Sequence, residues 1–284
     1  MDYTPLNKMS KDVRKATATM NEEEARFLVD MYYQMQDGRI RSSNQISALN
    51  KEAEKNEKEI EPHETIGFFS NNYHILEKNL KSCLQEYAEA KDIGKWMMSI
   101  TGIGPVIAAG LMAHIDINKV QTAGQIQAYA GLDPTKKWKK GEKRPWNPKL
   151  KTLCWKIGQS FIKVSNKEES LYGKIYKERR EYEEELNNSG AYAAYAKEIL
   201  DTKNFKNMEI KKIYESGKLP PAHITARCAR YATKIFISHL FTVWYQLAHG
   251  EPAPKPYPMA ILGHAHEILP PHFENGKVVI PEKK

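Results

Sequence analysis

In SITGIGPVIAAGL, residues 99–111, Gly102 and Gly104 flank Ile103 and are followed at once by Pro105. Those residue types at that spacing suit a tight turn opening into a helix. Gly102 accepts a positive φ, Ile103 points into the core, and Gly104 lets backbone approach backbone. Pro105 starts a helix at the position where its missing N–H costs nothing. The chemistry on offer is main-chain. Amides from about Gly102 to Val106, helped by the helix dipole, can donate to a phosphate oxygen. Such a grip positions a protein on a nucleic-acid backbone and reads no bases. The pattern is that of a helix-hairpin-helix whose first helix spans about 91–99. Its contact set is Thr101, Gly102, Ile103, Gly104 and Pro105.

A second constellation follows one short helix later. Residues 136–151, KKWKKGEKRPWNPKLK, hold eight basic residues (Lys136, Lys137, Lys139, Lys140, Lys143, Arg144, Lys149 and Lys151) against the single Glu142. That local balance of +7 leaves only +1 for the other 268 residues. A solvated face normally mixes both signs, whereas an unbalanced cluster raises the local potential and attracts polyanions. Each phosphate it neutralises releases counterions, so binding is expected to be salt-sensitive. Trp138 and Trp146 lie among the lysines, placed either to stack on unpaired bases or to anchor the loop to the core.

Other chemistry-bearing residues carry less. His264, His266 and His272, with Glu267, lie in GHAHEILPPH within a proline-rich tail, where rigid metal coordination is not expected and contacts with a partner are. No metal and no cofactor are assigned. His114 and His239 fall in apolar helical patterns and read as hydrogen-bonded core histidines. Ser160 and Ser165 lack a His or Asp at suggestive spacing, and Glu183 to Glu185 read as solvated. Asp133 is engaged in a GLDP turn and Asp116 lacks the context of a glycosylase base pocket. No catalytic residue is assigned.

The elements that must position these groups are helical. Asn21 with Glu24 makes a capping box for a helix carrying Phe27, Leu28, Met31 and Met35. Asp37-Gly38 is expected to end it, and a second helix is expected over about 43–58. Another covers about 72–90, so residues 1–90 form a helical arm, either a hairpin or a homo-oligomerising surface. Thr122–Tyr129 is a short helix closed by Gly131. Asn147 and Pro148 supply an N-cap and first-turn proline for a helix with Leu150, Leu153, Cys154, Ile157, Phe161 and Val164 inward. A charged helix spans 170–187, two short ones reach Gly217, and a long one spans about 222–249. From Glu251 the prolines indicate an extended tail. The expected organisation is mainly all-α: a 1–90 arm, a 91–165 helix-hairpin-helix domain, a 166–250 helical region and a 251–284 tail.

The whole composition agrees with a folded, non-membrane protein. Apolar residues make up 41% of 284, charged residues 27%, and the net charge is +8. The longest apolar run, 235–247, is broken by Ser238, His239 and Gln246, so it does not span a bilayer. MDYTPLNKMSKDVRK lacks the apolar stretch of a signal peptide. Cys83, Cys154 and Cys228 are widely spaced, which fits buried thiols in a reducing, cytoplasmic setting.

The phrases TGIGPVIAAGLMAHI, AGQIQAYAGLDP, the basic loop and NPKLKTLCWKIGQSF resemble the C-terminal transposase domain of the insertion-sequence family one-ten. The likeness covers about 95–165, with a fainter echo in ARCARYATKIFISHLF. The resemblance implies a mobile-element recombination protein. In that family a RuvC-like domain supplies four acidic residues for metal chemistry, the C-terminal domain supplies a nucleophilic serine, and a structured bridge RNA guides recombination. This chain departs twice. Residues 1–95 read as helices rather than strands with acidic ends. Gly141 is preceded by Lys140 where the family has its serine, and 134–151 contains no serine at all. Without nucleophile or quartet, strand transfer is not expected of this chain. The expected function is a transposase-like protein that grips DNA or structured RNA. The alternatives are an RNA-binding scaffold derived from a transposase and a base-excision glycosylase or lyase.

Overall fold

The computed structural model describes residues 9–56, 64–254 and 268–280. The elements among them are almost entirely helical, as the sequence predicts: eleven α-helices and one two-stranded hairpin. The chain divides into two compact units.

The first unit gathers residues up to Met98 with Gly104–Asp116. Its short α1, Lys11–Ala16, precedes α2, Glu22–Asn56, which runs 35 residues without interruption. The start of α2 is the capping box: Asn21 Oδ1 accepts from the amides of Glu23 and Glu24, and the Glu24 carboxylate accepts from the Asn21 amide. The expected break at Asp37-Gly38 does not occur. Gly38 sits where α2 meets α3, Glu64–Glu89, and a Cβ there would lie 2.8 Å from the Tyr73 ring. The glycine is a packing notch inside a helix, and the tertiary contact overrides its weak propensity. One turn along, the buried Glu77 carboxylate takes the Arg39 guanidinium and the Gln36 amide, which crosslinks the two helices. The arm is therefore an intramolecular hairpin.

Two shorter helices complete this unit, α4, Asp92–Met98, and α5, Pro105–His114. Helix α5 is buried from Ala108 to Ala113 and packs on α2, α3 and α4. Its small side chains allow that enclosure, and Arg26 of α2 donates to the Ala113 carbonyl at 2.7 Å, a cation at the negative helix end.

The second unit holds Ser99–Ile103 and Ile117–Val279. Its elements are α6, Ala123–Tyr129; α7, Pro148–Lys163; α8, Leu171–Asn188; α9, Ala193–Thr202; α10, Met208–Glu215; and α11, Pro221–His249. Helix α11 is central and packs on α6, α7 and α8. Gly158 permits the α7–α11 approach, since a Cβ would stand 3.1 Å from Thr233 Oγ1 and 3.2 Å from the Ala229 Cβ. An aromatic cluster of Phe161, Tyr172 and Phe236 fills the core, with Phe161 and Tyr172 stacked at 4.8 Å. His239 is the core histidine the sequence suggests. The Ile268 carbonyl can only accept, so Nε2–H donates to it, and Nδ1 then accepts from the Tyr172 hydroxyl.

Strands β1, Phe273–Glu274, and β2, Lys277–Val278, pair antiparallel and are tied to α11 through Gln246. His272 is described, whereas His264, His266 and Glu267 lie outside the described residues. Within the described residues no helix is long and apolar enough to cross a membrane. Cys83, Cys154 and Cys228 are all buried and free.

Candidate nucleic-acid interface

The glycine turn joins α4 to α5. Gly102 has φ +102°, the positive value expected of it, and Ile103 is buried. The Ile103 amide donates to the Ile100 carbonyl at 2.9 Å and so closes the turn, which withdraws one expected phosphate donor. The Ser160 hydroxyl of α7 donates to the Gly102 carbonyl, and Phe161 and Val164 pack under the same residue. Ser160 therefore positions the turn. Nothing in the sequence marked it, because its partner is a main-chain oxygen 58 residues away.

Gly104 departs from the sequence expectation. Its φ of −99° and ψ of 173° are extended values open to any residue, and a Cβ built there meets nothing within 4 Å. Among the described residues no close backbone approach requires a glycine there. Gly104 is the N-cap of α5 and supplies no side chain to its first turn. The Ala108 amide is bonded to the Gly104 carbonyl, so Val106 and Ile107 carry the amides that have no intrahelical acceptor. Thr101, Gly104 and Pro105 are partly exposed.

The basic loop emerges from α6. That helix ends with Gly131 at φ +65°, where Gly131 and Leu132 donate to the Ala128 and Gln127 carbonyls. A Cβ at Gly131 would strike both the Trp146 ring and the Lys151 side chain at 2.9 Å. Asp133 accepts from the Thr135 amide and hydroxyl, as the GLDP turn implies, and those two bonds hold its carboxyl below the usual range. At the far end the Asn147 side-chain Oδ1 caps α7 by accepting from the amides of Lys149 and Leu150.

All eight predicted cations, Lys136, Lys137, Lys139, Lys140, Lys143, Arg144, Lys149 and Lys151, are exposed. The two tryptophans act chiefly within the loop. Trp138 donates its indole N–H to the Glu142 carbonyl and is faced by Arg144 at 4.8 Å. Trp146 lies between Gly131 and the Lys151 amine, which sits 3.9 Å from the ring centroid.

Two cations that the sequence reading passed over join this group from α11. Desolvation depresses the Lys151 pKa, and the like charges of Arg230 and Arg144 depress it further. Lys234 is lowered in the same way, with Asp133 opposing and Arg230 adding. Arg230 and Lys234 stand four residues apart on one helix face. In the linear sequence they are diluted among the apolar residues of a core helix, so no charge cluster announces them.

Glu183 is not the solvated carboxylate that its neighbours Glu184 and Glu185 suggest. It is 1% exposed and accepts from Arg179 on its own helix, from Arg227 of α11 and from the Tyr192 hydroxyl. Burial by itself raises its pKa, but the bonds from Arg227, Tyr192 and Arg179 outweigh that and hold it at about 2. Two arginines thereby share one carboxylate inside unit two, while Arg230 and Lys234 share the electrostatic field of the loop and its GLDP turn.

Comparisons with known proteins agree with this part of the chain. Neither a curated protein nor a solved structure matches. Residues 94–172, which run from α4 through the turn, the basic loop and α7 into α8, match the model of the Transposase IS116/IS110/IS902 family. The match spans somewhat over a quarter of the 284 residues. Over that segment the protein is transposase-like and resembles the C-terminal region of that family.

Proposed function

We propose that this chain binds a nucleic-acid backbone through the amide-bearing turn of Thr101, Gly102, Ile103, Gly104 and Pro105 and through the cations of residues 136–151, and that it has no strand-transfer chemistry of its own. The observation that carries the reading is the exposed, strongly cationic loop. Eight cations surround Glu142, and Arg230 adds its charge to theirs. Assembling like charges costs energy in the free protein, and a polyanion relieves that cost. The open space at Gly104 supports the same reading, because its missing side chain serves no internal contact.

The absence of chemistry rests on the hydroxyls. Thr135 is the sole hydroxyl in 134–151, and it donates to Asp133. A glycosylase reading fits poorly for the same reason, since the Asp133 carboxylate is engaged by its own turn. Substituting Lys136, Lys137, Lys139 and Lys140 by Glu is expected to abolish binding to DNA and to structured RNA. Unchanged affinity would reject the interface. Incubation of the purified chain with DNA is expected to give no covalent adduct on a denaturing gel, and an adduct would overturn the second clause.

An RNA-binding scaffold is the second reading. The intramolecular α2–α3 hairpin favours it to the extent that a rigid helical arm suits assembly around an RNA. Sequencing the nucleic acid that copurifies separates the two: abundant structured RNA supports the scaffold, and heterogeneous DNA supports a DNA binder.

A further inference from the structure

Of the three tryptophans in and beside the basic loop, Trp138 and Trp146 are each faced by a cation, and each ring helps to hold the loop together. Trp155 is different. It lies on the outer face of α7 with 62% of its surface exposed. Among the described residues no ring or cation is stacked on it. Leaving a large indole in water forgoes the burial that places tryptophans inside proteins.

Its surroundings indicate the occupant. The helical neighbours one turn away are Lys151, Thr152, Gly158 and Gln159, and none carries an apolar side chain. A tryptophan that anchors a protein partner normally sits within a desolvated apolar patch. Here the flanking groups are cationic. Lys151 precedes Trp155 by four residues and shares its field with Arg144 and Arg230. Lys156 follows, itself in the field of Lys163. An exposed aromatic ring beside a row of cations is the arrangement that holds unpaired nucleic acid, with bases stacking and phosphates paired.

We propose that Trp155 is the stacking platform for an unpaired base of a strand whose phosphates are held by Arg144, Lys151 and Arg230. The inference rests on the nucleic-acid reading above and adds to it a preference for single-stranded segments. Trp155, and not the two loop tryptophans, then does the stacking.

The test uses the full chain and fluorescence anisotropy with a labelled single-stranded oligothymidylate and a perfectly paired duplex of equal length. Trp155→Ala is expected to weaken single-strand binding about tenfold or more. Duplex affinity should stay unchanged, and Trp155→Phe should retain most of the single-strand affinity. If the alanine variant folds poorly, Trp155→Gln carries the same comparison. Full single-strand affinity in Trp155→Ala, with binding abolished by the four-lysine reversal, overturns this inference and leaves the interface standing. Full affinity in both variants overturns both. Loss of a self-associated species on sedimentation of Trp155→Ala, with oligonucleotide binding intact, would show a contact between copies and also overturn the platform.

Discussion

At Gly102 and Gly104 two identical residues answer to different constraints. Gly102 is fixed by its backbone, because φ +102° penalises any L side chain and Phe161, Val164 and Ser160 leave a Cβ no more than 3.4 Å. Gly102→Ala is expected to cost about 1–2 kcal/mol, read as a lower midpoint in urea. Gly104→Val should leave that midpoint within roughly 0.5 kcal/mol of the original, since it enters open space. Affinity for nucleic acid should nevertheless fall, because the branched side chain covers the amides at the start of α5. Unaltered affinity in Gly104→Val would mean that no strand approaches there. The GIG spacing announced the turn; only the coordinates separated the glycine that the fold needs from the one that it does not.

At the scale of elements, helices were legible wherever periodicity and caps agreed. Asn21 with Glu24 and Asn147 with Pro148 mark the starts of α2 and α7 as the sequence predicts. Gly38 misled because propensity is local and its cause is not: the Tyr73 ring occupies the space of its side chain. Gly38→Ala would stabilise an isolated helix by about 1 kcal/mol. In this protein it is expected to lower the melting temperature instead, with recovery when Tyr73→Ala is added. Stabilisation by Gly38→Ala alone would refute the close approach. Glu183 was misread for a related reason. Three glutamates in a row look alike in sequence, and only the partner helix α11, with Arg227, selects one of them for burial. Glu183→Gln leaves Arg179 and Arg227 without their counter-ion, and the loss of about 3 kcal/mol corresponds to roughly 10 °C in melting temperature.

For the whole molecule, buried histidine and glutamate groups, His239 and Glu183 chief among them, set the response to acid and the surface cations set the response to salt. His239 is pushed down to about 4 by burial, against the opposing bond to Ile268. Its unfolded form takes up a proton first, so the stability it contributes is lost as pH falls from about 6.5 to 4. Glu183, held at about 2, contributes stability that is lost as pH falls from about 4.5 toward 2. Acid unfolding should therefore weaken the protein in two successive windows. In His239→Gln the upper window should shrink in plots of urea midpoint against pH, leaving the part contributed by His223, which burial also depresses. Salt acts on binding: neutralising Lys136, Lys137, Lys139 and Lys140 to Gln should reduce the slope of log affinity against log salt by about three, and a slope that does not change would place those lysines away from the phosphates.

The order of the residues alone determined the helical class, the glycine turn with its proline, the capped starts and the lopsided loop. Each depends on groups a few positions apart. Tertiary structure decided which glutamate is buried, which tryptophan faces water, why Gly38 does not break α2, and that Arg230 of α11 joins the loop's charge. Those outcomes depend on neighbours supplied by distant segments. The physical reason is that backbone preference and capping act over one or two turns of chain, whereas burial and Coulomb interaction depend on distance in space.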